Sequence, residues 1–110
     1  MTVKLVVAIV GPEKTDNLMD IARSAGATGA TILANGRGEG MFRKKGVLGL
    51  ELTQQRDVLL FLVPEARSQG VLDCLVEAGE FDDSPETGVA FLLDVEQVHG
   101  LRGQFGPDSE

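Results

Sequence analysis

The stretch Lys4-Leu5-Val6-Val7-Ala8-Ile9-Val10-Gly11-Pro12-Glu13 holds a nearly continuous aliphatic run that stops at a glycine and a proline. Its β-branched content and its length suit a strand buried on both faces, and Gly11-Pro12 ends the ladder. Downstream, Leu18, Ile21, Ala22 and Ala25 recur at the spacing of one helix face. Thr15 or Asp16 is placed to cap that helix and Gly26 to end it. Thr28 to Asn35 returns to strand character, closed by Gly36, Gly38 and Gly40. The same grammar then repeats. Val58 to Val63 is aliphatic, Pro64-Glu65 answers Pro12-Glu13, and Val71, Leu72, Leu75 and Val76 keep helical spacing up to Gly79. Thr87 to Val95 is a last strand, reached through the acidic turn Phe81 to Glu86.

Two strand-helix-strand units in tandem predict an α+β fold, the ferredoxin-like βαββαβ arrangement: an antiparallel sheet with both helices on one face and the first and third strands at its centre. Strands as apolar as Leu5 to Val10 and Val58 to Val63 cannot leave the second sheet face open to water, so an oligomer is expected. At 110 residues, 43% hydrophobic and 25% charged, the chain has the composition of one soluble domain. Residues 103–110, polar and containing glycine and proline, read as a loosely held tail.

Seventeen acidic against ten basic residues give a formal charge of −7, which opposes non-specific binding to nucleic acid or anionic membranes. The run Leu5 to Val10 is far short of the roughly 20 residues that cross a bilayer, and the single thiol of Cys74 suits a reducing compartment; both point to the cytoplasm. Cys74, between Leu72 and Leu75, reads as a small buried hydrophobe. With one histidine, His99, and no tyrosine or tryptophan, a histidine metal cage or a Ser-His-Asp triad has no residues to use, and no metal site is expected. The three carboxylates Asp82, Asp83 and Glu86 read as a solvated turn rather than a calcium site.

Three motifs carry what function the residues suggest. Gly36-Arg37-Gly38-Glu39-Gly40 suits either a phosphate-cradling loop or a glycine hinge; it matches neither the dinucleotide fingerprint nor a Walker A loop. Arg37, Arg43, Lys44 and Lys45 gather four of the ten positive charges into one short segment, suited to an anionic ligand, an acidic partner or plain solvation. Pro85-Glu86-Thr87-Gly88 reads as a turn, with Thr87 offering a hydroxyl and Gly88 an approachable backbone.

With these residues in view, the chain resembles the P-II family of signal transduction proteins, in particular its short P-II-like members. The resemblance covers nearly the whole chain, residues 1–102. It rests on Lys4 to Val10 leading to Pro12, on Thr28-Gly29-Ala30-Thr31, and on Thr87-Gly88-Val89-Ala90-Phe91-Leu92-Leu93-Asp94-Val95-Glu96. It implies a homotrimer of ferredoxin-like subunits with an adenine nucleotide (ADP, AMP or ATP) between subunits, acting as a regulator rather than an enzyme and needing no obligatory cofactor. It further implies a partner-binding T-loop at about 36–55, carrying Arg43, Lys44 and Lys45 toward a membrane transporter or metabolic enzyme, and a B-loop at about 81–88.

By the same resemblance, Thr31 matches the threonine beside the adenine, and Gly36, Arg37 and Gly38 match the loop base beside the phosphates. Thr87, Gly88 and Val89 match the second ligand segment, and Arg102 matches the C-terminal cationic segment. Val89 replaces a lysine of classical members and Gly100 one of two arginines, so fewer cations face the phosphates and classical tight sensing of ATP with 2-oxoglutarate is disfavoured. Without tyrosine, uridylylation of the T-loop is excluded. Two other readings stand beside this one: a trimeric adaptor that binds no nucleotide, and a small enzyme using Arg37 with Glu39 as base, for which no nucleophile–base pair is present.

Overall fold

In the computed structural model, residues 2–36, 46–47, 50–51, 55–83 and 87–101 are described. The elements are β1 (Val3–Val10), α1 (Pro12–Ala25), β2 (Thr31–Gly36), β3 (Gly46–Val47), β4 (Leu50–Glu51), β5 (Arg56–Pro64), α2 (Glu65–Gly79) and β6 (Gly88–Asp94). Four of the strands form an antiparallel sheet in the order β2-β5-β1-β6. This is the ferredoxin-like arrangement, with the long strands β1 and β5 at the centre. One feature lies outside the four-strand expectation: the connection from β2 to β5 contains a short antiparallel pair, in which Gly46 faces Glu51 and Val47 faces Leu50.

Helix α1 begins four or five residues earlier than its polar residues suggest. Gly11 is the N-cap, with no side-chain cap bond, and Pro12 takes the first turn, where its fixed φ and missing N–H cost nothing. Thr15, expected as a cap, is instead buried, and its hydroxyl donates to Asp57 Oδ2 at 2.6 Å. Gly26 closes the helix at φ +120°, a conformation open to glycine, and Ala27 N–H returns to the Ala22 carbonyl. Strand β2 starts at Thr31 rather than Thr28, because the chain leaving Gly26 spends residues 28–30 outside the ladder. Helix α2 runs through Gly79 and stops at Glu80, which takes the left-handed conformation at φ 57°. Gly79 is small for another reason: the Phe81 ring occupies the space a Cβ would need.

The core lies between the helices and one sheet face. Val6, Ala8 and Val10 of β1 and Leu59, Phe61 and Val63 of β5 meet Leu18 and Ala22 of α1 and Val71 and Leu75 of α2. Along α2 the buried stripe is Ser68, Val71, Leu75 and Gly79, and Cys74 falls off it. The expectation of a buried thiol is therefore corrected: Cys74 is exposed. On the opposite sheet face, rows of paired residues are almost wholly apolar. Leu5 lies between Leu62 and Leu93, Val7 between Leu60 and Phe91, and Ile9 between Val58 and Val89. Neither α1 nor α2 covers that face, and at its margins Leu33 is 53% and Leu93 46% exposed.

Candidate functional site

The uncovered face holds a cleft of about 630 Å³. Its floor is Leu5, Leu60 and Leu62 from the two central strands. One wall is Thr28-Gly29-Ala30-Thr31, where the chain enters β2; the other is Val95, Gln97, Val98 and Leu101, where it leaves β6. The segment after β6 therefore crosses back toward the β2 edge, held by Leu101, which is buried. The volume lies within the roughly 300–1000 Å³ usual for small-molecule sites, and the lining is mostly carbon with few polar groups, as such sites are. A smaller cavity of about 140 Å³ lies behind the first wall, bounded by Met19, Arg23, Phe61 and the same Thr28, Gly29 and Ala30.

Thr31 is thus placed in the cleft, as the first residue of β2, paired with Leu60. Gly36, Thr87, Gly88 and Val89 are elsewhere. Gly36 pairs with Arg56 at the far end of β2, beyond an irregularity between Leu33 and Gly36. Gly88 pairs with Val10, which also pairs with Asp57, so Gly36 and Gly88 share one end of the sheet. They lie on opposite edges, with β5 and β1 between them, about 14 Å apart at ~4.8 Å per strand. Gly88 has its own reason to be glycine: φ is +151°, and an added Cβ would sit 2.7 Å from the Ile9 carbonyl oxygen. The Thr87 hydroxyl donates to the Glu80 carbonyl at 3.1 Å, tying the entry of β6 to the end of α2. Val89 sits opposite Ile9 on the uncovered face. Arg37, Gly38, Arg43, Lys44, Lys45 and Arg102 lie outside the described residues, as do 84–86 of the expected B-loop and the tail at 103–110.

Three residues around this site carry no signal in the sequence motifs. Arg56 stands opposite Gly36 at the loop base, half-buried. Asp57 is buried and receives the Thr15 hydroxyl; its alternation with Leu59, Phe61 and Val63 is the pattern that would have marked it as inward-facing. Gln97 lines the cleft, and its only mark in the sequence is an amide between Val95 and Val98. Elsewhere, Lys14 Nζ donates to the Gly79 carbonyl at 2.7 Å, bringing a cation to the end of α2. Lys4 Nζ lies 2.8 Å from Asp94 Oδ1 across β1 and β6. Their hydrogen bond and mutual attraction raise the lysine above its ordinary pKa and lower the carboxyl below its own. Among the described residues no cluster of His, Cys, Asp and Glu could hold a metal ion, and no helix is long and apolar enough to cross a membrane.

A split βαβ-type sheet with an apolar face that neither helix covers and a cleft at its margin defines a ferredoxin-like protein. The family described as nitrogen regulatory protein P-II matches residues 3–104, and the chain belongs to that family, whose members are signalling regulators. No curated protein matches the chain. Among solved structures, it is similar to CPII from Thiomonas intermedia K12 bound to ADP, AMP and acetate, with 22% identity over 92% of each chain and a TM-score of 0.68. CPII bound to ADP, AMP and bicarbonate is 23% identical over 86% of this chain and 89% of that one, with a TM-score of 0.61. A putative PII-like signaling protein from Thermus thermophilus is 23% identical over 86% and 88%, with a TM-score of 0.62. At these identities the likeness is one of fold.

Proposed function

We propose that this chain is a cytoplasmic P-II-like regulator that binds an adenine nucleotide between the subunits of a homotrimer and controls a membrane transporter or metabolic enzyme through its segment at about 36–55. The observation that carries the reading is the apolar cleft of about 630 Å³ with Thr31 at its wall. The ADP and AMP bound to CPII support it from outside the chain.

Within one chain the cleft and the loop bases at Gly36 and Gly88 are separated along the strands: the β5 partners of Thr31 and Gly36, Leu60 and Arg56, are four residues apart, about 13 Å at ~3.3 Å per residue. A nucleotide touching both therefore uses two copies, one supplying the base-side cleft and the next the phosphate-side backbone at Gly36, Arg37, Gly38, Thr87, Gly88 and Val89. Arg102, and Arg56 at the loop base, add cations for the phosphates. The remainder of that face, Val7, Ile9, Val58, Phe91 and Leu93, is what the trimer would bury. A ligand that binds one state of the 36–55 segment better than another shifts its population, and Arg43, Lys44 and Lys45 present that state to an acidic partner surface. This role needs no catalytic residue and no bound metal.

The test is calorimetric titration of the purified oligomer, sized by light scattering, with ADP, AMP and ATP, each with and without magnesium. Saturable binding near one ligand per subunit, weakened by Thr31→Ala and Arg102→Ala, is the expected result. A trimer that binds none of the three would leave the adaptor reading in its place, and a monomer would remove both.

A further inference from the structure

The cleft discriminates poorly by shape alone: its floor is three leucines, and its walls add alanine, glycine and valine. Among the described residues, three polar side chains line it, Thr28, Thr31 and Gln97. The two hydroxyls are single rotors on the β2 side, each able to turn as donor or acceptor. Gln97 is different, because its carboxamide offers an acceptor and a donor side by side in one plane, the pattern that matches a heterocycle edge with an amino group next to a ring nitrogen. It stands across the cleft from Thr31, on a segment anchored by half-buried Val95 and Val98 and by buried Leu101. Its side chain is exposed and carries no hydrogen bond to another described residue, so it is free to meet a ligand.

We propose that Gln97 is the base-reading residue of the cleft: its carboxamide oxygen accepts from the exocyclic amino group of adenine while its NH₂ donates to the neighbouring ring nitrogen, with the ring laid on Leu5, Leu60 and Leu62. This inference rests on the nucleotide reading above and adds to it a determinant of base specificity. Such a contact differs from general packing because it vanishes with the amino group of the ligand.

The experiment is a cycle with one change in the protein and one in the ligand. ADP and purine riboside 5′-diphosphate, which carries hydrogen in place of the amino group, are titrated into the native trimer and into Gln97→Leu, with circular dichroism and light scattering confirming fold and assembly. The native protein is expected to bind ADP about tenfold more tightly than the analogue, and Gln97→Leu to bind the two within about twofold of each other. Equal loss for both ligands, or no loss for either, overturns the assignment while leaving nucleotide binding intact. A native trimer that ignores ADP overturns the nucleotide reading itself, and this assignment with it.

Discussion

Replacing Thr15 by valine keeps the shape of the side chain and removes one bond: the hydroxyl donated to Asp57 Oδ2 at 2.6 Å. Both residues are 6% exposed, so water does not replace the lost donor, and the bond ties α1 to the first residues of β5, 42 positions away in sequence. A hydrogen bond to a carboxylate contributes about 1.5–3 kcal/mol, and Asp57 keeps its other contacts, so a loss of about 2 kcal/mol is expected. At a urea slope of ~2 kcal/mol per molar, the unfolding midpoint should fall by about 1 M. The chain has no tryptophan or tyrosine, so far-ultraviolet circular dichroism is the appropriate probe, at one fixed protein concentration so that any contribution of assembly is held constant. Asp57→Ala alone and with Thr15→Val completes the cycle, with a coupling of about 1–2 kcal/mol expected. A change below about 0.5 kcal/mol for Thr15→Val, or a coupling near zero, would refute the claim that this pair fastens α1 to the sheet.

Gly88→Ala should cost about 1–3 kcal/mol in the same assay, because φ is +151° and the new methyl meets the Ile9 carbonyl oxygen at 2.7 Å; an unshifted midpoint would show that backbone strain is absent there. Lys14→Met should cost about 1 kcal/mol by removing the donor 2.7 Å from the Gly79 carbonyl, and equal stability would mean that this cation adds nothing to the end of α2. Asp94 is held below its ordinary pKa by Lys4, so its contribution is fully present above the unfolded carboxylate value and is lost as pH falls through the lowered folded value. Carboxyl NMR should therefore show the Asp94 midpoint rising in Lys4→Met; an unmoved midpoint would remove the ion pair as its cause.

The repeated Pro-Glu punctuation, the aliphatic runs and the helical spacing make the order of elements along the chain readable from the sequence, because period and turn chemistry are local properties of the chain. The helix caps are less readable. Thr15 has the chemistry of a cap, yet Pro12 has already started the helix, and the hydroxyl finds a partner 42 residues on that no local rule contains. Cys74 misleads for a related reason: its neighbours Leu72 and Leu75 are apolar, but one step on a helix is about 100°, enough to carry it off the buried stripe. Of the candidate site, Thr31 is legible through family resemblance and lies in the cleft. Gln97 is not, since its place depends on where the segment after β6 turns, a tertiary property: that segment meets the β2 side of the cleft, where buried Leu101 shares the lining with Thr28 and Thr31.

Strand β5 alternates buried and half-buried for nine residues, whereas the segment joining it to β2 spans positions 37–55. These two stretches answer differently to a change in length. Doubling a connecting loop costs only about 0.6 kcal/mol of closure entropy, while one residue inserted within β5 turns Asp57, Leu59, Phe61 and Val63 toward the uncovered face and Val58, Leu60 and Leu62 toward the helices. The connection can thus be lengthened or shortened at little cost in stability. The strand beside it admits substitutions but no insertions, so the length of the one can change without disturbing the register of the other.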